Sequence, residues 1–167
     1  MNLPLYFNRI FKVMLTTSCA VFMTIVVFNH IQFYSVNFEY LQHIMRMDSL
    51  PTMPEYMWRA IEAEPIHHAC YGFVILCETI AAGLLWLGAW QMFKNRKMPT
   101  QQFEHEKLWS INGLSFSLLI YILLFYAVGS EWFVSWQSSL WNAKKAALPI
   151  LCMIGFCLIY LNQPEKG

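Results

Sequence analysis

Residues 65–90 have the sequence PIHHACYGFVILCETIAAGLLWLGAW, an apolar run with two histidines in its first turn and one carboxylate, Glu78, near its middle. A helix needs about 20 predominantly apolar residues to cross the hydrocarbon core of a bilayer. This run reaches that length, and three other runs reach or approach it. The sequence therefore predicts four membrane spans, at about residues 10–31, 66–93, 108–128 and 146–161.

The composition supports a membrane protein. Hydrophobic residues make up 57% of the chain and charged residues 13%, whereas a soluble domain has about 45–50% and about 25%. Backbone groups in lipid must be paired internally, so each span should be a helix. We expect an all-α membrane protein: a four-transmembrane-helix bundle formed by residues 1–167 as a single domain, with a structured cap made from the outer loops 37–65 and 129–145.

The charges that flank the spans predict an orientation. Arg9 and Lys12 precede the first apolar run as the basic flank of a signal peptide would, but no small-x-small cleavage site follows it. The run should therefore be an uncleaved span. Seven Lys and Arg residues flank one side of the spans and four flank the other, so the positive-inside rule places both termini and the KNRK connector in the cytoplasm.

Several classes of function are disfavoured. The net charge of +1 gives no reason to expect a nucleic-acid partner. The five cysteines all lie in apolar runs without a C-x-x-C pair, which disfavours a disulfide framework. No H-E-x-x-H, G-x-S-x-G or glycine-rich phosphate loop is present, so no catalytic residue, and therefore no enzyme, is indicated. The sequence does not indicate any particular cofactor.

Three stretches carry a family resemblance: SVNFEYLQHIMRMDS, MWRAIEAEPIHHACY and GSEWFVSWQSSLWN. Together they resemble a bacterial family of predicted small integral membrane proteins, a domain of unknown function. The resemblance covers nearly the whole chain, and EWF-x-x-WQS-x-x-WN is its most specific part. It implies a four-span protein of the bacterial inner membrane and carries over no catalytic residue. Some of the matching positions form what we call the aromatic cap of the outer loops: Trp58, Glu131, Trp132, Trp136, Gln137, Trp141 and Asn142.

The tryptophans of the aromatic cap have two interpretations. Trp132 and Trp136 are four residues apart, so on a helix they would share a face. Aromatic rings at headgroup depth commonly form an interfacial belt, with lysines such as Lys144 and Lys145 at the polar edge. The alternative is a surface that binds a partner protein.

Glu78 is the one charged residue inside an apolar run. It lies twelve residues from Ile66, or about 18 Å along a helix, which is close to the middle of the bilayer. A lone charge at that depth is costly, so Glu78 should face the bundle. Its expected partners are Ser117 or Tyr121 on the third span and Thr24 or Ser18 on the first. It is either part of a proton or cation relay, or a neutral acid hydrogen-bonded between helices.

His30, His67 and His68 lie at the outer ends of the first two spans. Opposed histidines at equal depth suit a b-type haem, a metal ion or a quinone. The alternative is that these imidazoles bond to the backbone of the loops.

Small-residue pairs on three spans predict close helix contacts: Ala20 with Thr24, Thr79 with Gly83, and Gly113 with Ser117.

Three functional hypotheses follow. The first is a non-enzymatic accessory or interaction subunit that contacts lipid and either another membrane protein or a second copy of itself. The second is a proton-coupled transport unit that uses Glu78. The third is a binder of a ligand at the three outer histidines.

Overall fold

The computed structural model describes residues 3–50 and 54–165. All regular secondary structure in these residues is helical. The α-helices are α1 (Leu3–Gln32), α2 (Tyr34–Arg46), α3 (Glu64–Lys94), α4 (Thr100–Ile120) and α5 (Ala143–Leu161). The chain of α4 continues without a break as a π-helix, Tyr121–Trp132.

Four helices are long and apolar enough to cross a membrane: Leu3–Gln32, Glu64–Lys94, Thr100–Trp132 and Ala143–Leu161. Each contains one of the predicted spans. The helices begin or end beyond those spans because polar residues at the membrane surface continue the same helix. Pro149 lies inside α5, where neighbouring groups can satisfy the freed carbonyl. The expected all-α membrane bundle is confirmed.

The helix α2 lies largely within residues 37–65, which we expected to form an outer loop. Its buried residues, Phe38, Ile44 and Met45, make an apolar stripe on an otherwise polar helix. The helix ends at Met47, which adopts a left-handed conformation with φ of 55° and donates its N–H to the carbonyl of Ile44 at 3.2 Å. Residues 51–53 of the expected loop lie outside the described part of the chain.

The described helices divide between two compact units. The first unit consists of Met1–Val26, Glu78–Leu118 and Met153–Gly167. The second unit consists of Val27–Cys77 and Leu119–Cys152.

In the first unit, α3 and α4 approach each other at small residues. A Cβ atom on Gly88 would clash with the backbone of Ser110, lying 2.7 Å from its Cα, and a Cβ on Gly113 would lie 3.0 Å from the side chain of Leu85. Gly113 belongs to one of the predicted small-residue pairs. Gly83 does not make such a contact, because no atom lies within 4 Å of the Cβ position there. Gly88, which the spacing pattern did not identify, makes the closest approach of these three.

The second unit has its own apolar core between α2 and the chain that follows the π-helix. Val134 adopts a left-handed backbone with φ of 53°, which is strained for a β-branched residue and persists only when packing imposes it. This conformation ends the helix before Trp136, so Trp132 and Trp136 do not share a helical face. The core residues are Ile44, Met45, Met47, Phe133, Val134 and Ala143, with Tyr40 and Trp141 packed against them.

Candidate functional sites

An exposed cluster of aromatic rings surrounds Arg59 in the second unit. The Trp58 side chain is 70% exposed, and its ring meets the ring of Trp132 edge-on at 5.7 Å. The Arg59 guanidinium lies 5.0 to 5.3 Å from the ring centres of Tyr56, Trp58 and Trp132. It also donates a hydrogen bond to the Trp132 carbonyl at 3.2 Å. Cation–π attraction therefore holds these exposed rings in one arrangement.

Two serines order the loop that connects the π-helix to α5. The Ser138 hydroxyl oxygen accepts hydrogen bonds from the backbone N–H groups of Leu140 and Trp141, at 3.3 and 3.0 Å. The Ser135 hydroxyl oxygen accepts from the N–H of Ala143 at 3.2 Å. These bonds fix a loop on which Trp136 is exposed and Leu140 is 75% exposed. The sequence prediction missed these roles, although a serine followed by a polar helix start is typical of such turns.

Asn142 belongs to the framework of the aromatic cap. It caps α5, because its side-chain oxygen accepts the N–H of Lys145 at 2.9 Å. Its side-chain nitrogen donates to the Trp136 carbonyl, also at 2.9 Å. Asn142 thereby links the start of α5 to the loop that carries the exposed Trp136.

The remaining predicted cap residues also differ in exposure. The Trp141 ring stacks on His43 at 4.6 Å and supports the core of the second unit. Glu131 is exposed, 4.0 Å from the Lys144 ammonium, and Gln137 is half-buried in the turn Ser135–Gln137. The exposed apolar surface of the predicted cap therefore consists of Trp58, Trp132 and Trp136.

His67 and His68 lie in the second unit and face different neighbours. The Nε2–H of the fully buried His67 donates to the Ile61 carbonyl at 2.7 Å. The His68 ring stacks on Phe38 with ring centres 4.0 Å apart and planes 4° apart, and its Nδ1 is hydrogen-bonded to the Tyr34 hydroxyl at 2.8 Å. These contacts join the start of α3 to α2 and to the loop before α3.

The third histidine, His30, packs against Tyr71, with ring centres 5.7 Å apart. The Tyr71 hydroxyl donates to the His30 carbonyl at 3.2 Å. Among the described residues, no three His, Cys, Asp or Glu side chains are grouped so as to hold a metal ion. Of the three imidazoles, His67 is hydrogen-bonded to the loop before α3, whereas His30 and His68 pack against neighbouring rings.

Glu78 is fully buried as the fifteenth of the 31 residues of α3, and it belongs to the first unit. Ser117 is also buried in that unit, and its hydroxyl donates to the Gly113 carbonyl of its own helix at 2.8 Å. Tyr121 is buried in the second unit, where its ring stacks on Phe125. Ionisable residues in the middle of membrane-crossing helices commonly mark proton or ion pathways, which makes Glu78 a functional candidate.

The first unit also contains a cluster of buried charges that the sequence prediction missed. Arg9, Lys12 and Lys107 are each only 1% exposed. The Lys12 ammonium lies 2.6 Å from a carboxylate oxygen of Glu165, and the Lys107 ammonium 2.8 Å from one of Glu104. Arg9 lies 3.5 Å from the second oxygen of Glu165. We call these five residues the charge cluster.

The charge cluster also anchors two stretches of backbone. Lys12 and Lys107 both donate to the Gln163 carbonyl, at 2.8 and 3.0 Å, so the chain after α5 is held against α1 and α4. Arg9 donates to the carbonyls of Arg96 and Met98 in the connector between α3 and α4. Arg9 and Lys12, which looked like a solvated basic flank in the sequence, are buried structural residues. No local signal in the sequence links them to Glu165.

Comparison with known proteins identifies a family. Residues 8–164 match the model of the family described as "Predicted small integral membrane protein (DUF2165)". No curated protein and no solved structure matches the chain.

Proposed function

Because the chain belongs to that family of small integral membrane proteins, we propose that it is a non-enzymatic accessory subunit that packs on another membrane protein through its aromatic cap. The observation that carries the proposal is the arrangement of the exposed rings of Tyr56, Trp58 and Trp132 around Arg59. Tryptophan, tyrosine and arginine are the residues most enriched at the energetic centres of protein interfaces.

The rigidity of this surface supports the same role. Arg59 is held by three rings and one backbone hydrogen bond, and the adjoining loop is fixed by Ser135 and Ser138. A surface that is already ordered loses less conformational entropy when a partner binds. Lipid headgroups, in contrast, do not require a single arrangement of the rings. The order of the cap therefore favours a protein partner over an interfacial belt.

The proposed location is the bacterial inner membrane, with both termini in the cytoplasm. Among the described residues, six Lys and Arg residues flank the spans on the side of the connector of residues 95–99, and four flank them on the side of the outer loops. The positive-inside rule then puts the ends of the chain and the connector of residues 95–99 on the cytoplasmic side. A reporter that is active only in the cytoplasm should be active when fused after residue 167. If only a reporter that is active in the periplasm worked at that position, the orientation would be the opposite of the one proposed.

Gentle co-purification tests the accessory function. The full chain and the double variant Trp58→Ala/Trp132→Ala would be extracted in mild detergent, separated by native electrophoresis and analysed by mass spectrometry. Trp109→Ala is the matched control, because Trp109 is also about half-exposed but lies on α4 in the first unit. We expect a stoichiometric membrane-protein partner with the wild type and the control that is lost with the double variant.

Three results would contradict the accessory function. They are wild-type protein that migrates alone, wild-type protein that migrates as a homo-oligomer without another protein, and a partner that the double variant retains.

A second candidate function rests on Glu78. A fully buried carboxyl near the middle of a membrane-crossing helix is the typical setting of an intramembrane proton carrier. The test is proton flux into proteoliposomes that contain the wild type, Glu78→Gln or the control Glu106→Gln. Flux that only Glu78→Gln abolishes would support transport. Equal flux in all three samples would exclude this role.

A further inference from the structure

A cavity of about 330 Å³ lies beside the charge cluster in the first unit. Its lining combines apolar walls from the start of α1 and the chain after α5 with four polar side chains, and none of the lining residues carries a carboxylate. The lining residues are Pro4, Leu5, Asn8, Lys12, Tyr160, Gln163 and Pro164.

The electrostatics of the site favour an anion. The charge cluster contains three cations, Arg9, Lys12 and Lys107, and two carboxylates, Glu104 and Glu165, so its formal charge is +1. The three cations are almost completely buried, where the field of an uncompensated charge is poorly screened. Lys12 is the one of these three cations that belongs to the lining of the cavity.

Hydrogen-bond donors remain for a ligand in this cavity. An ammonium group has three N–H donors, and Lys12 uses two of them, toward the Gln163 carbonyl and the Glu165 carboxylate. The Asn8 side-chain oxygen accepts the Tyr160 hydroxyl at 2.9 Å. Its side-chain nitrogen makes no hydrogen bond to any residue in the described part of the chain. The cavity thus offers donors from both Lys12 and Asn8.

We propose that this cavity binds the phosphate group of an anionic ligand, with Lys12 and Asn8 donating to its oxygens. A phosphate group has several acceptor oxygens and suits more than one donor. The position at the ends of α1 and α5, together with the apolar walls, favours the headgroup of an anionic phospholipid, because basic pockets between membrane helices bind such headgroups. Free phosphate is the other source of the same chemistry. The proposal does not depend on the function of the aromatic cap.

Native mass spectrometry of the full chain in detergent tests this site. The probes are phosphatidylglycerol, phosphatidylcholine and inorganic phosphate, each added to the same preparation. We expect one phosphatidylglycerol molecule to be retained, with roughly tenfold preference over phosphatidylcholine, as one charge-assisted contact would give. Inorganic phosphate should neither bind nor compete at equal concentration.

Two variants and one control locate the bound lipid. Asn8→Leu removes the amide from the cavity and leaves the charge cluster intact. Lys12→Gln/Glu165→Gln removes one charge of each sign, so the net charge of the cluster stays at +1 while the cavity loses its cation. Both should lose the preference for phosphatidylglycerol. Lys97→Gln removes an exposed cation of the connector of residues 95–99 and should bind as the wild type does.

Each outcome decides the proposal. If inorganic phosphate binds and displaces phosphatidylglycerol, and both variants fail to bind inorganic phosphate, the ligand of the site is free phosphate and not a lipid headgroup. Equal retention of the two lipids together with no phosphate binding overturns the proposal, as does full preference for phosphatidylglycerol in Asn8→Leu. If the double variant fails to fold, Asn8→Leu still gives the decisive comparison.

Discussion

The two compact units keep their charges in opposite environments. In the first unit, Arg9, Lys12 and Lys107 are buried and paired with carboxylates at 2.6 to 3.5 Å. In the second unit the ion pairs are partly exposed, as between Arg46 and Glu62 at 3.6 Å, and the rings of Trp58, Trp132 and Trp136 are exposed. In the first unit, buried ion pairs therefore hold segments of the chain together. In the second unit, an ordered backbone holds exposed aromatic rings in place.

This difference has energetic consequences. Removing one partner from a buried ion pair leaves an uncompensated charge and costs about 3–5 kcal/mol. Exposed pairs contribute about 0–1 kcal/mol. Stability should therefore respond strongly to charge changes in the first unit and weakly to those in the second.

The largest effect is expected from Glu165→Gln. The change leaves Arg9 and Lys12 without their shared carboxylate, and we expect the free energy of unfolding to fall by about 3 kcal/mol. Unfolding in detergent, followed by circular dichroism, measures this loss. Glu106→Gln is the control, since Glu106 makes no ion pair within the described residues, and it should change stability little. A loss for Glu165→Gln no greater than that of the control would refute a stabilising charge cluster.

A smaller effect is expected from Gly88→Ala. The new Cβ would meet the backbone of Ser110, so α3 and α4 must move apart, at a cost of about 1–3 kcal/mol. Gly83→Ala is the matched control on the same helix, because nothing lies within 4 Å of its Cβ position. In the second unit, Gly129→Ala should cost less than Gly88→Ala, since its nearest atoms lie at 3.2 Å. Thermal unfolding of the three variants in one detergent measures the order, and equal losses would show that α3 and α4 do not meet at Gly88.

Tyr40 predicts a pH dependence that arises in the second unit. Burial raises the pKa of its phenol from 10.0 to about 12, and its hydroxyl has no hydrogen-bond partner among the residues described. The folded state therefore favours the protonated phenol more than the unfolded state does. This contribution to stability is complete below pH 10 and is lost as the pH rises to about 12.

The measurement is the free energy of unfolding of the wild type and Tyr40→Phe across that pH range. The variant should match or exceed the wild type below pH 10 and gain relative to it as the pH rises. A constant difference between the two proteins would show that Tyr40 is not buried in this way.

The smallest effect is expected from Glu62→Gln. Its carboxylate lies 3.6 Å from Arg46 with the side chain 75% exposed, and solvent screens such a pair. We expect the free energy of unfolding to change by less than about 0.5 kcal/mol. A loss comparable with that of Glu165→Gln would remove the contrast between the two units.

The apolar runs were sufficient to predict the membrane helices, because length and hydropathy decide which segments can cross a bilayer. They could not predict α2, since its three buried residues form a stripe too narrow to distinguish from a polar loop. They also could not predict the charge cluster. Arg9 and Lys107 have the appearance of flanking charges, and only the return of the chain after α5 brings Glu165 to Arg9 and the Gln163 carbonyl to Lys107. Contacts between residues so far apart leave no periodic signal in one sequence.

The sequence predicted the residues of the aromatic cap as a group, but it did not predict which of them are exposed and which pack against the core. Trp141 and Trp136 have the same residue type and similar neighbours in the sequence, yet Trp141 packs on His43 while Trp136 is exposed. The left-handed backbone of Val134 and the bonds of Ser138 determine this difference. Backbone conformations of this kind depend on the surrounding core, which the sequence alone does not display.

Photo-crosslinking in intact membranes tests the central claim, that the aromatic cap binds a protein partner, most directly. A photoreactive phenylalanine analogue would replace Trp58 in one sample and Phe156, an exposed residue of α5, in another. We predict one discrete protein adduct from position 58 and none from position 156. Adducts to lipid alone at both positions would contradict the claim and identify the cap as a membrane-interface belt.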